Sequence, residues 1–200
     1  MKTALLHPIA KPVVFVLCLL PLAWLVYAAI ANQLGANSAE ALIRGLGDWS
    51  LRFLCLVLAI TPLRIRLRWP ALARFRRMLG LFAFFYVSLH LLAYAWFDMG
   101  LELSEIVKDI GKRPFILVGF AAWCLLIPLA ATSFNRAIRT LGVRHWQRLH
   151  RLVYLVGGLA ILHFFWMRSG KRDYAEVMVY GAIIGVLLLE RVWRWRQQRH

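Results

Sequence analysis

Apolar residues neither alternate along this chain nor recur as a narrow helical stripe; they come in long, nearly unbroken runs. Six runs stand out, at residues 12–30, 48–63, 78–97, 114–132, 146–167 and 174–192. A helix needs about 20 apolar residues to cross the hydrocarbon of a bilayer, within a range near 17–25. In lipid every backbone polar group must be satisfied internally, which a helix does within one segment. The pattern predicts an all-α polytopic membrane protein, a bundle of six transmembrane helices. The second run is the shortest and carries Arg52 near one end, so its side chain must snorkel or the helix must tilt. The first run ends in Ala29-Ile30-Ala31, which has the form of a signal-cleavage site. Its apolar stretch exceeds the roughly 7–15 residues of a signal peptide, so it reads as a retained anchor.

Little chain is left between the runs. The longest polar stretches are about 15–20 residues, too short to bury a core of their own. Residues 1–200 therefore read as a single transmembrane domain. No GxGxxG, no P-loop and no internal repeat is evident. Gly45-Leu46-Gly47 lacks the preceding strand that a dinucleotide site requires and reads as a turn. Gly181 and Gly185 form a GxxxG spacing in the last run, which points to close helix–helix packing, within the chain or between chains.

Composition agrees with the pattern. Of 200 residues, 62% are hydrophobic, against about 45–50% in a soluble domain. The net charge of +16 would suit nucleic acid, but the basic residues are nearly all Arg, in short segments between apolar runs. That is the arrangement of headgroup contacts and orientation signals, so the expected surface partner is the lipid membrane and not nucleic acid. With the N-terminus inside, the cytoplasmic set is Lys2, Lys11, the 64–77 loop, the 136–151 region and the 191–199 tail, ending at Arg199. It holds 17 of the 25 basic residues and one acid, Glu190. The other side keeps eight basic and eight acidic residues. So strong a positive-inside bias predicts both termini in the cytoplasm. Trp49, Trp96 and Trp166 then mark the outer interface, and Trp69, Trp146, Trp193 and Trp195 the inner one. Cys18, Cys55 and Cys124 lie within apolar runs without metal-type spacing and read as small packing residues.

The chemistry lies in the histidines. His7 and His200 fall near the termini and His145 at the inner interface, where headgroup or surface roles suffice. His90 falls within the third run, and His150 and His163 within the fifth. An ionisable residue inside the membrane points to function. Counting from the outer ends of their runs at 1.5 Å per residue, His90 and His163 differ in depth by roughly 5 Å, which helix tilt can absorb. They are expected to face each other across the bundle, with His150 about 20 Å nearer the cytoplasm, at a second, inner site. Zinc would want further nitrogen, sulfur or carboxylate ligands, and no acid lies at that depth. A b-type haem takes one ligand from each side of a flat apolar slot, and two imidazoles leave no open position, which suits electron transfer. Phe84, Phe85, Tyr86, Tyr94, Phe164 and Phe165 supply aromatic bulk nearby. The competing reading is a hydrogen-bonded histidine pair in a helix interface. On an ideal helix His150 and His163 lie some 140° apart, and a kink at Gly157-Gly158 between them would reconcile their faces.

Three blocks carry a family resemblance: RRMLGLFAFFYVSLHLLAY (76–94), GKRPFILVG (111–119) and HWQRLHRLVYLVGGLAILHFFW (145–166). Together they resemble the MsrQ family of haem-binding bacterial inner-membrane subunits, a branch of the ferric-reductase-like transmembrane group. The resemblance runs from about residue 12 to 190. It implies a six-helix membrane cytochrome, with haem b as cofactor, that passes electrons to a periplasmic molybdopterin-containing partner, MsrP, which reduces methionine sulfoxide in oxidised proteins. The family's histidines match His90, His150 and His163. The family is also described as binding FMN, for which no residues are assigned. The wider group carries four histidines, two on each of two helices; at the fourth position this chain has Arg76 or Arg77. The inner site thus has His150 without an evident second histidine, its other ligand being absent or another group such as Met78. Arg76 and Arg77 are candidates to pair with a haem propionate or a flavin phosphate, or serve only as inner-interface anchors.

No nicotinamide or FAD domain accompanies these spans, so the electron donor is expected to be a quinol or a cytoplasmic flavin reductase. An electron-transfer subunit fits better than an enzyme with its own substrate site. The alternatives are a membrane haem reductase acting directly on ferric iron, oxygen or quinone, and a transporter or assembly factor with histidine proton relays. Asp98, Glu102, Glu105 and Asp109, followed by Lys112, Arg113, Arg168, Lys171 and Arg172, give the outer face the mixed charge of a transient docking surface.

Overall fold

The computed structural model describes residues 6–170 and 172–197, so Lys2, Lys171, Arg199 and His200 lie outside the described residues. Among the described residues the chain forms nine α-helices and no strand. They are α1 (Ala10–Ile30), α2 (Ser38–Arg66), α3 (Arg76–Ala93), α4 (Leu103–Lys112), α5 (Pro114–Ala131), α6 (Asn135–Leu141), α7 (Val143–His150), α8 (Leu152–Ser169) and α9 (Ala175–Gln197). A 3₁₀ segment (Pro70–Phe75) leads into α3, and a π-helical turn (Tyr94–Asp98) follows it. Five helical stretches are long and apolar enough to cross a membrane: Ala10–Ile30, Ser38–Arg66, Pro70–Asp98, Pro114–Ala131 and Val143–Ser169. The sixth expected run is also helical, as α9, but Glu176, Glu190 and Arg191 break up its apolar stretch.

Three local expectations are corrected. The second span is not short. Asn37 caps α2, accepting the Glu40 N–H at 3.1 Å, and the helix runs for 29 residues. Gly45-Leu46-Gly47 is therefore a stretch of helix and not a turn. Its glycines admit neighbours: a methyl group at Gly45 would lie 2.7 Å from the Leu25 side chain. Gly157-Gly158 does not interrupt the fifth run, since α8 passes through both. Gly157 is buried with Val153, Val156 and Phe164, so it serves packing. The interruption falls at Arg151, between α7 and α8, where the Arg151 N–H bonds back three residues to the Arg148 carbonyl.

The structure divides into two compact units, residues 1–107 and 108–200. In the first, α2 and α3 pack along each other with α1 against both. Phe53 is central, its ring 5.7 Å from Phe82 and 5.1 Å from Tyr86. The fully buried Tyr86 hydroxyl donates to the Cys18 carbonyl (2.8 Å) and accepts the Leu22 N–H (3.0 Å). It thus engages both ends of one rung of the α1 ladder, next to Pro21, which has no N–H to contribute. Arg52 settles its charge over the face of Trp49, 4.6 Å from the ring centroid.

In the second unit α5 packs along α8, and α9 packs on α8. Gly181 of the GxxxG pair faces Ile161 of α8, 3.8 Å from where a methyl would sit, so this glycine packs within the chain. The α8–α9 pair is pinned at both ends. Arg168 bridges Asp173 (3.3 Å) and Glu176 (2.6 Å), and Arg191 donates to the Tyr154 hydroxyl (2.6 Å). Buried Glu190 pairs with Arg194 one turn away, as a charge in that setting must.

Candidate functional site

His90 lies in the last turn of α3, within the first unit, and its ring rests against the opening turns of α2. Its Nδ1 is 2.8 Å from the Ile43 carbonyl oxygen. A carbonyl can only accept, so Nδ1 must carry the proton and donate it. In the neutral ring that places the lone pair on Nε2. Gly47, one turn after Ile43, lies beneath the ring: a methyl there would come within 3.1 Å of Nδ1 and 3.2 Å of Cε1.

His163 lies near the end of α8 in the second unit and meets the opening turns of α5 in the same way. Its Nδ1 donates to the Phe115 carbonyl at 2.6 Å. Gly119, again one turn later, would place a methyl 2.7 Å from Nδ1 and 2.9 Å from Cε1. The Phe115 ring stands 6.0 Å from the imidazole. Both histidines are half-buried, and both have Nε2 as the acceptor nitrogen. A backbone carbonyl on Nδ1 is the usual partner of a metal-ligating histidine, fixing tautomer and ring orientation. Taken singly, each imidazole offers the Nε2 donor that a haem iron can take from a protein.

His150 is held differently. It ends α7 and stacks on Trp146, with ring centroids 4.0 Å apart. Its Nε2 lies 3.0 Å from Thr132 Oγ1. The Thr132 hydroxyl donates its one proton to the Pro128 carbonyl at 2.7 Å, so in this bond His150 Nε2 is the donor. The Trp146 indole N–H closes the cluster on the Thr132 carbonyl (2.9 Å). Phe115 and Thr132 stand at opposite ends of α5, about 25 Å apart at 1.5 Å per residue. His163 and His150 therefore occupy two well-separated levels of one helix.

The other predicted residues fall as follows. Arg76 (half-buried) and Arg77 (exposed) open α3, and Met78 packs against the core of the first unit. Tyr86 is committed to α1, and Phe165 stacks on Tyr174 at 5.3 Å. Among the described residues, no three His, Cys, Asp or Glu side chains converge. The sequence reading missed Gly47, Gly119, Thr132 and the Ile43 and Phe115 carbonyls. A signal for the two glycines and the two carbonyls, though not for Thr132, existed in a weak internal repeat, because the carbonyl-to-histidine separation is 47 residues in one unit and 48 in the other.

A family model described as "Ferric reductase like transmembrane component" matches residues 46–161. The chain is 65% identical to a protein of Polaromonas naphthalenivorans (strain CJ2), over 98% of this chain and 90% of that one. It is 51% identical to a protein of Herminiimonas arsenicoxydans, over 94% and 87% of the two chains. A third relative, from Caulobacter vibrioides, is 48% identical over 92% and 87%. Each of the three carries the name "Protein-methionine-sulfoxide reductase heme-binding subunit MsrQ". No solved structure matches the chain.

Proposed function

The chain belongs to the MsrQ family, within the ferric-reductase-like transmembrane group, and on that premise we propose that it is the haem b electron-transfer subunit of a methionine sulfoxide reductase system. In this reading residues 1–200 act as one ferric-reductase-like domain of six spans in a bacterial inner membrane, with both termini cytoplasmic. Electrons enter from a quinol or a cytoplasmic flavin reductase. They leave to a periplasmic molybdopterin-containing MsrP-like subunit, where reducing a methionine sulfoxide to the thioether and water takes two electrons and two protons. Neither a self-sufficient ferric or oxygen reductase nor a transporter is favoured by the name the relatives share.

The observation that carries the reading is the paired Nδ1–carbonyl bonding of His90 and His163. Each bond orients an imidazole and raises the basicity of its Nε2. In this proposal His90 and His163 would together hold one outer haem, and His150 would belong to an inner site. When bound, haem b supplies a one-electron carrier inside the membrane. His150 would have to exchange its Thr132 hydrogen bond before ligating through Nε2, so the inner level is prepared differently from the outer. Arg76 and Arg77 supply guanidinium groups for a haem propionate there, or for the phosphate of an FMN. Without an evident second histidine at that level, His150 is paired with another kind of ligand or with none.

The test is spectroscopic. Purified wild-type protein should show a low-spin haem b spectrum, and His90→Ala and His163→Ala should each abolish the same signal, since losing either axial ligand opens the iron. His150→Ala should leave that signal largely in place while blocking reduction from the cytoplasmic side. If either outer variant keeps the low-spin signal, the pairing is wrong. If His150→Ala loses all haem, the two-level arrangement falls.

A further inference from the structure

We infer that Gly47 and Gly119 are positioning residues for the two ligand histidines, and that each half of the chain carries the same mount: a helix carbonyl, a glycine one turn later, and an imidazole seated over that glycine. The inference rests on the haem reading above and goes beyond it, because it assigns ligand geometry to residues other than the ligands.

The reason for the four-residue spacing is geometric. In an α-helix the carbonyl of residue i points along the axis toward the N–H of residue i+4. Its oxygen has a second lone pair, but a side chain at i+4 stands beside that approach. Ile43 is followed four residues later by Gly47, and Phe115 by Gly119. Only glycine leaves the second lone pair open to an imidazole Nδ1–H. The fit is close in both halves: an added methyl would lie 3.1 Å from Nδ1 of His90 and 2.7 Å from Nδ1 of His163. The obstructing atoms belong to the ring that must stay in place, not to a side-chain tip that can swing aside. Two glycines on the histidine helices, Gly80 and Gly158, seat no neighbour. A methyl at Gly80 of α3 or Gly158 of α8 would meet nothing within 4 Å.

Gly119→Ala, the tighter position, is expected to push the His163 ring off the Phe115 carbonyl and abolish the low-spin signal, with imidazole added to the solution restoring it. Gly47→Ala, where the overlap is smaller, is expected to keep haem but raise its midpoint potential, because a ligand without its Nδ1–carbonyl bond is less basic and stabilises ferric iron less. Gly80→Ala and Gly158→Ala are the controls and should match wild type in haem-to-protein ratio, spectrum and potential. The inference is overturned if Gly47→Ala and Gly119→Ala match those controls in both spectrum and potential. If Gly119→Ala does not accumulate in the membrane, the potential of Gly47→Ala decides alone. Wild-type protein that binds no haem would overturn the functional reading itself, and this inference with it; haem in wild type with indifferent glycine variants would overturn only the inference.

Discussion

In water the Tyr86 hydroxyl would be solvated, but between α1 and α3 it has two backbone groups to serve, the Cys18 carbonyl and the Leu22 N–H. Removing it leaves both without that partner in a place where nothing else can reach, since Tyr86 has 0% exposure. Tyr86→Phe should therefore destabilise the protein by about 1–3 kcal/mol, read as a lower unfolding temperature in detergent. An unchanged unfolding temperature would mean the α1 rung closes on itself. At the same scale His90, His150 and His163 could be picked out from sequence as polar residues in apolar runs. Their tautomers could not, because each depends on which oxygen lies against the ring. Two carbonyls make Nδ1 the donor in His90 and His163; one committed hydroxyl makes Nε2 the donor in His150. Nothing in the residue names distinguishes these cases.

Among the elements, α4 departs most from its expected character as a loop. Leu103, Ile106, Val107 and Ile110 recur at helical spacing, with Leu103 and Val107 exposed, while Glu105, Lys108, Asp109 and Lys112 occupy the remaining positions. Amphipathic spacing between two candidate spans suits a helix lying in the membrane interface with its charged side toward water. Arg113 is paired with Asp109 (Nε to Oδ1 2.7 Å) and Arg168 with Asp173 and Glu176. Part of the expected docking charge is thus used within the chain. If α4 forms part of the electron exit, Glu102 and Glu105 are a probe of it. Reversing both to Lys should slow reduction of the periplasmic partner, and added salt should change the size of that defect by screening. Haem content and reduction by dithionite should match wild type. A rate equal to wild type at every ionic strength would remove α4 from the exit surface.

For the whole molecule the strongest signal is charge. If all six runs cross, seventeen basic residues and one acid would fall on one side, against eight of each on the other, and the positive-inside rule would put both termini in the cytoplasm. A reporter fused after residue 200 should then be fluorescent if it folds only in the cytoplasm, and inactive if it is an alkaline phosphatase that works only in the periplasm. The same phosphatase inserted after Gly100 should be active. An active phosphatase at the C-terminus would mean that α9 does not cross and that the spans number five.

The order of apolar runs, the all-helical class and the three histidines set in apolar runs follow from sequence alone, because each depends on composition over a window or on a residue type out of place in an apolar run. Helix ends and local breaks did not follow. The Asn37 cap extends α2 well before its apolar run begins, and the break in the fifth run falls at Arg151 rather than at Gly157-Gly158. A glycine in sequence is equally a turn, a hinge or a contact, and only the neighbour that fills the space over it decides which. Leu25 over Gly45, His90 over Gly47 and His163 over Gly119 come from distant parts of the chain. Their approach is a property of packed helices, so the seating of the ligand histidines belongs to the tertiary structure.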